Sequence, residues 1–258
     1  MKIIPLHEGA YAVDKQKTFT PIALGEALPK GSLKMGICPF LIILENDVVL
    51  LDAGLGFSSN GLPMIHSLLK ENGYAPENIT KVLLSHLHKD HIDGLGNFND
   101  GKFEANFGKA KIYLQKRELD YALRQTDNPS FDQKMLLQLK DFSNLVLLSE
   151  NEGWINDEIY FEVTGGHSPF HQAFWIREKE EITFYGADNL PQKAYLNFNV
   201  AYKTDDDGSH EHGHSGHEET DLLTDTLLHQ VHVGANASGD FAGSKKVEEG
   251  DVLSENGT

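Results

Sequence analysis

The stretch that most constrains this chain is Ser85-His86-Leu87-His88-Lys89-Asp90-His91, which follows directly on the segment 79–84. That segment is short and ends in the aliphatic residues Val82, Leu83 and Leu84, and so reads as a strand. The polar segment must leave the sheet at once, because three imidazoles and a carboxylate are costly to bury unpaired in an apolar core. In an extended segment alternate side chains face one way, so His86 and His88 share a direction. Asp90 and His91 enter the following helical turn and point to a neighbouring position. Imidazole nitrogen and carboxylate oxygen are ligands that suit divalent zinc, and one such cluster can serve two metal positions.

Around this segment the chain alternates strands and helices. Residues 3–13 predict an opening strand. Phe40-Leu41-Ile42-Ile43-Leu44 and Val48-Val49-Leu50-Leu51 predict a hairpin closed by Glu45-Asn46-Asp47. Ile65, Leu68 and Leu69 carry helical spacing over 63–72, with Gly73 as the stop. Residues 111–114 predict a strand, 116–124 and 132–140 two helices, and 145–148, 159–163, 172–176 and 182–185 further strands. One more strand is expected within 226–233. Strands, then strands alternating with helices, then strands again predict an α/β (α+β) chain of packed sheets with helices outside.

Three strand ends add to the candidate site. Thr164-Gly165-Gly166-His167-Ser168-Pro169-Phe170-His171 puts a histidine into a glycine-rich turn after a strand. Phe184-Tyr185-Gly186-Ala187-Asp188-Asn189 ends the next strand but one with an aspartate, and Asp52 ends the second strand of the hairpin. Ends of strands along one rim of a sheet are where α/β proteins gather their sites.

These motifs, in this order, resemble those of the metallo-β-lactamase superfamily over residues 2–203. The resemblance implies a four-layer αβ/βα sandwich and a binuclear zinc site. It implies that His86, His88 and His167 hold one metal, that Asp90 and His91 hold the second, and that Asp188 bridges the two. Asp52 would orient ligands from behind. A bridging aspartate is typical of the lactonases, hydroxyacylglutathione hydrolases and phosphodiesterases of the superfamily rather than of its true β-lactamases. His171 resembles a position that is structural in the lactonase-like branch. No tyrosine stands three residues after Asp188, and Tyr195, the nearest, reads as a packing residue. The last metal histidine of such proteins, near the C-terminus, has no matching motif here. Unless His229 or His232 supplies it, the second zinc site is incomplete.

Charge and composition narrow the function classes. The net charge of −17 argues against nucleic acid or an anionic membrane as partner, and the resemblance implies a small-molecule substrate. From Lys203 onward thirteen acids face three bases, so most of that imbalance lies in a histidine-rich tail, 204–258, which is expected to be disordered. The hydrolase domain is expected to be 1–203. No apolar run is long enough to cross a bilayer. The N-terminal residues lack the apolar core of a signal peptide, and a cytoplasmic location is expected. The single cysteine, Cys38, rules out an internal disulfide and reads as a buried structural thiol. The expected activity is hydrolysis of a carbonyl ester, lactone or thioester, with Asp90 passing the proton to the leaving group. The alternatives are phosphodiester cleavage at the same site, for instance of a small cyclic nucleotide, and metal binding without turnover.

Overall fold

The computed structural model describes residues 1–190 other than Leu24 and Asn60, together with the strand at 229–231. The chain opens with β1 (Lys2–Pro5), β2 (Gly9–Val13), β3 (Phe19–Pro21), β4 (Leu33–Ile37), β5 (Phe40–Ile43) and β6 (Val48–Leu51). A short hairpin, β7 (Ser58–Ser59) and β8 (Leu62–Pro63), leads into α1 (Met64–Glu71) and β9 (Lys81–Leu83). Next come α2 (Lys89–Ile92), the hairpin β10 (Gly96–Asn99) and β11 (Lys102–Ala105), and β12 (Lys111–Gln115). After α3 (Lys116–Ala122), α4 (Gln133–Lys140) and β13 (Leu145–Leu148), the chain builds β14 (Glu152–Trp154), β15 (Ile159–Val163), β16 (Gln172–Glu178), β17 (Glu181–Tyr185) and β18 (His229–Val231).

Two sheets form the body. The first runs β1-β5-β6-β9-β12-β13, antiparallel through β1, β5 and β6 and parallel from β6 onward. The second runs β14-β15-β16-β17-β18 and is antiparallel throughout. The strands of the first sheet read as unbroken apolar runs because both faces are covered. Leu41, Leu50, Val82, Ile112 and Leu114 face one core, shared with Ile65 and Leu69 of α1, Leu119 of α3 and Leu136 and Leu139 of α4. Their alternates Phe40, Ile42, Val49, Leu51, Leu83 and Tyr113 face the other core, against Ile159, Phe161, Phe174, Ile176 and Tyr185 of the second sheet. Period-two alternation thus divides one sheet between a helical layer and a second sheet. On the opposite face of that second sheet, Trp154, Tyr160, Trp175 and Phe184 form a cross-strand aromatic ladder with ring centroids 4.8–5.8 Å apart.

The expected fold class holds, and so does the hairpin of β5 and β6. The opening strand is corrected. Residues 3–13 split into β1, which joins the main sheet, and β2, which joins a separate three-stranded sheet ordered β3-β2-β4. The break falls between Pro5, which has no N–H for a ladder, and Gly9, which adopts φ +126. The helix expected at 63–72 is α1, ending before Gly73 at φ +83. The helix expected at 132–140 is α4, whose N-cap Asp132 accepts hydrogen bonds from Lys134 N and Met135 N. The strand expected within 226–233 is β18. The boundary near 203, Tyr195, His232 and most of the acidic tail lie outside the described residues.

Candidate metal centre

The site forms where β6, β9, β15 and β17 end. Asp52 leaves β6 in a left-handed conformation, φ +56, which turns its carboxylate under the 85–91 segment. Oδ1 accepts from Ser85 N at 2.8 Å. Oδ2 accepts from Ser85 Oγ at 2.7 Å, from Tyr185 OH at 2.6 Å and from His91 Nδ1 at 2.7 Å. Since the Ser85 hydroxyl proton goes to Asp52, Ser85 Oγ accepts from His86 Nδ1 at 3.0 Å. One carboxylate therefore sets the tautomer of both His86 and His91 and leaves Nε2 of each facing inward. The segment is locked from behind as well: Gln172 on β16 donates its backbone N–H to Ser85 O at 2.9 Å and its amide to Leu84 O at 2.7 Å.

Two sets of donor atoms converge above this network. In the first, His88 Nδ1 lies 3.0 Å from His86 Nε2 and 3.0 Å from His167 Nε2. The second comprises His86, His91 and Asp188, again with ligand atoms within 4.8 Å of one another. Asp188 faces both sets: one oxygen stands 3.3 Å from His167 Nε2 and the other 3.3 Å from His91 Nε2. Asp90 stands farther off, 3.8 Å from His91 Nε2, and lines the pocket above. Its position is in the pocket wall, outside both tight clusters. Five of the six residues expected at the site make up the two sets, with Asp90 beside them, and His86, His88 and His167 are buried.

Electrostatics match this geometry. Burial depresses the basicity of His86, and His91, His88 and His167 depress it further, which keeps it a neutral donor. Burial would raise Asp188, yet His91 and His167 hold its carboxyl well below the usual carboxylate range. Burial likewise disfavours a charged His91, but Asp188, Asp52 and Asp90 overcome it and hold the ring well above its ordinary value. Three carboxylates around one buried ring mark a place that calls for positive charge. Three ring nitrogens meet here, His86 Nε2 and His167 Nε2 each 3.0 Å from His88 Nδ1, and one ring proton satisfies at most one of the two pairs. A cation satisfies all three, and a set of imidazoles with a shared carboxylate fits zinc.

The pocket over the site is lined by Phe19 and Met35 of the three-stranded sheet, by Lys17 from the turn between β2 and β3, and by Lys89, Asp90 and Ser130 around the ligands. The Lys89 ammonium sits 5.7 Å above the centre of the Phe19 ring. His171 belongs to neither donor set. It is fully buried and stacks on His86 with centroids 5.2 Å apart. His229 opens β18, paired with Phe184.

Four contributors were not legible in the sequence. Tyr185 is an inward residue of β17, and only the crossing of β6 brings it to Asp52. Glu118 is a buried acid of α3 whose carboxylate accepts from Leu87 N at 3.4 Å and Phe170 N at 3.2 Å; burial pushes it up to about 7. Glu8 accepts from Leu55 N at 2.9 Å beneath the same rim. Asn189 joins the two loops that carry His167 and Asp188. A charged residue at a helical position with apolar neighbours, as at Glu118, was the one readable signal.

This is the fold of the metallo-β-lactamase superfamily. A probable metal-dependent hydrolase from Staphylococcus aureus superposes with a TM-score of 0.59 at 21% identity, covering 78% of this chain and 77% of that one. AidC, a dizinc quorum-quenching lactonase solved with a product, N-hexanoyl-L-homoserine, superposes with a TM-score of 0.56 at 21% identity over 73% and 71%. In sequence, the N-acyl homoserine lactonase AiiA of Bacillus thuringiensis subsp. kurstaki is 25% identical over 179 residues, 61% of this chain. The chain spans 65% of the length of that relative. Within the superfamily the sequence profile described as anti-Pycsar protein Apyc1 matches residues 19–231, and the chain belongs to that family.

Proposed function

We propose that this protein is a zinc-dependent hydrolase acting on a carbonyl ester, lactone or thioester in a small molecule. The observation that carries the reading is the pair of donor sets that meet at His86, with the two oxygens of Asp188 each 3.3 Å from a histidine of one set, His91 and His167. His86, His88 and His167 would hold one zinc, Asp90 and His91 the second, and Asp188 would bridge them. When bound, zinc supplies Lewis acidity and a more acidic water at neutral pH. The chain's own residues do the rest. Asp52 and Ser85 keep Nε2 of His86 and His91 aimed inward, so the ligands need no reorganisation when the metal binds. Asp90 presents its carboxylate to the pocket, where it can take up a proton and return it to the leaving group. Phe19 and Met35 give the pocket an apolar wall that excludes water. The similarity to N-acyl homoserine lactonases supports a lactone among these substrates.

Phosphodiester cleavage is the second reading, and Lys17 and Lys89 at the pocket favour it, since two cations suit an anionic substrate. A cytoplasmic location belongs to the same proposal: a chain whose only thiol is buried has no disulfide to lose in a reducing compartment. Among the described residues, no helix is long and apolar enough to cross a membrane.

A panel of lactones, thioesters and nitrophenyl phosphate diesters, assayed with and without added zinc, tests these readings. Zinc-dependent turnover of a carbonyl substrate, lost at least a hundredfold in His88→Ala and Asp188→Ala, is the expected result. Turnover confined to the phosphate diesters selects the second reading. Activity unchanged in both variants overturns the metal mechanism.

A further inference from the structure

We propose that Asn189 is a positioning residue that staples the His167 loop to the Asp188 turn, so that these two ligands move as one body. The inference rests on the metal-site reading and assigns a role to a side chain that touches no metal. Asn189 Oδ1 accepts from His167 N at 2.7 Å. Its Nδ2 donates to Gly165 O at 2.6 Å and to Thr164 Oγ1 at 2.8 Å, and lies 3.2 Å from His171 Nδ1. A single short amide thus holds the loop of a residue 22 positions away in sequence, while its own backbone continues from Asp188.

Both the chemistry and the backbone are specific to an amide at this place. The loop offers one N–H and one C=O, so the clamp must accept and donate on one planar group. A carboxylate of the same shape accepts but cannot donate, and would set its charge against the Gly165 carbonyl. The loop reaches the amide through Gly165 and Gly166, both left-handed at φ +59 and +96. A Cβ at Gly166 would stand 2.5 Å from Asn189 Oδ1, so the glycine is what permits the close approach. The result is visible in the 3.3 Å between His167 Nε2 and the Asp188 carboxylate. Groups that orient metal ligands in this way are typically worth about 10- to 100-fold in metal affinity.

The test uses the full chain carrying Asn189→Asp or Asn189→Ala. Cobalt(II) is titrated and followed by its visible absorption, zinc affinity is measured by competition with a chromophoric chelator, and the apo-proteins are compared by circular dichroism. The expected result is native circular dichroism, cobalt and zinc affinity lower by about tenfold or more, and a cobalt band altered in position at saturation. Native affinity with a native cobalt spectrum in both variants overturns the proposal. So does a fall in apo-protein stability without any change in the metal, because Asn189 would then serve the fold alone. Should Asn189→Ala not fold, the near-isosteric Asn189→Asp decides; loss of the folded apo state in both also overturns it. If the wild-type chain itself takes up no metal, the metal-site reading falls and this inference with it.

Discussion

Asp52 shows how much one side chain can organise. Its Oδ2 gathers Ser85, Tyr185 and His91 within 2.6–2.7 Å, and through Ser85 it also reaches His86. The Tyr185 phenol is held well above its ordinary value by burial and by Asp52 itself, so it remains a donor across the physiological range. Asp52→Ala leaves His91 Nδ1 and the phenol without their shared acceptor and frees both imidazoles to rotate. Zinc affinity should fall about 10- to 100-fold, as measured by chelator competition. An affinity within twofold of wild type would show that the ligand rings hold their orientation without it. The sequence marked Asp52 as the end of a strand, but Ser85 and Tyr185 carry no signal of this role. Hydrogen bonds between residues 33 and 133 positions apart exist only once β6 and β9 pair and the second sheet, carrying β17, packs against them.

Among the elements, the join between the end of β6 and α2 determines whether the ligands meet. Ala53 N donates to His91 O at 2.8 Å, and Gly94 N donates to Gly54 O at 3.0 Å, so the two segments are zipped by backbone bonds. The contact is closer than any side chain allows: a Cβ on Gly94 would stand 1.8 Å from Ala53 O. Gly94→Ala should therefore cost about 1–3 kcal/mol by overpacking and shift Asp90 and His91 away from Asp188. Thermal unfolding and a zinc titration check both effects, and loss of stability without loss of zinc would mean that α2 tolerates the shift. Helices and central strands were legible in advance because their apolar spacing is local. The split of residues 3–13 was not, because both halves have strand composition and only pairing partners separate β1 from β2.

At the scale of the whole molecule, ligands drawn from both sheets make metal binding a stabilising link between them. Zinc at a hundredfold excess over its dissociation constant should add about 2.7 kcal/mol, which raises Tm by about 5–10 °C for a chain of this size. Chelator should reverse the gain, and a Tm indifferent to zinc would argue against a preformed site. The buried acids set a second global property. Burial pushes Glu8 from 4.5 up to about 7, partly offset by Leu55 N, and its Oε1 has no partner among the described residues. The folded state then holds this proton more tightly than the unfolded chain. The stability it contributes is intact below about 4.5 and is lost as pH rises through about 7. Glu8→Gln should flatten that fall by up to roughly 3 kcal/mol, read from urea unfolding at pH 5 and pH 8; an unchanged slope would assign the dependence to Glu118. The sequence by itself determined the element types along most of the chain, the apolar hairpin of β5 and β6 and the identity of the metal-ligand candidates. These depend on local spacing and on the chemistry of single residues. Tertiary structure alone decided that Asp188 faces both donor sets, that Asp90 stands in the pocket wall, and that Tyr185, Glu118 and Asn189 support the ligands, because each is a contact between segments far apart in the chain.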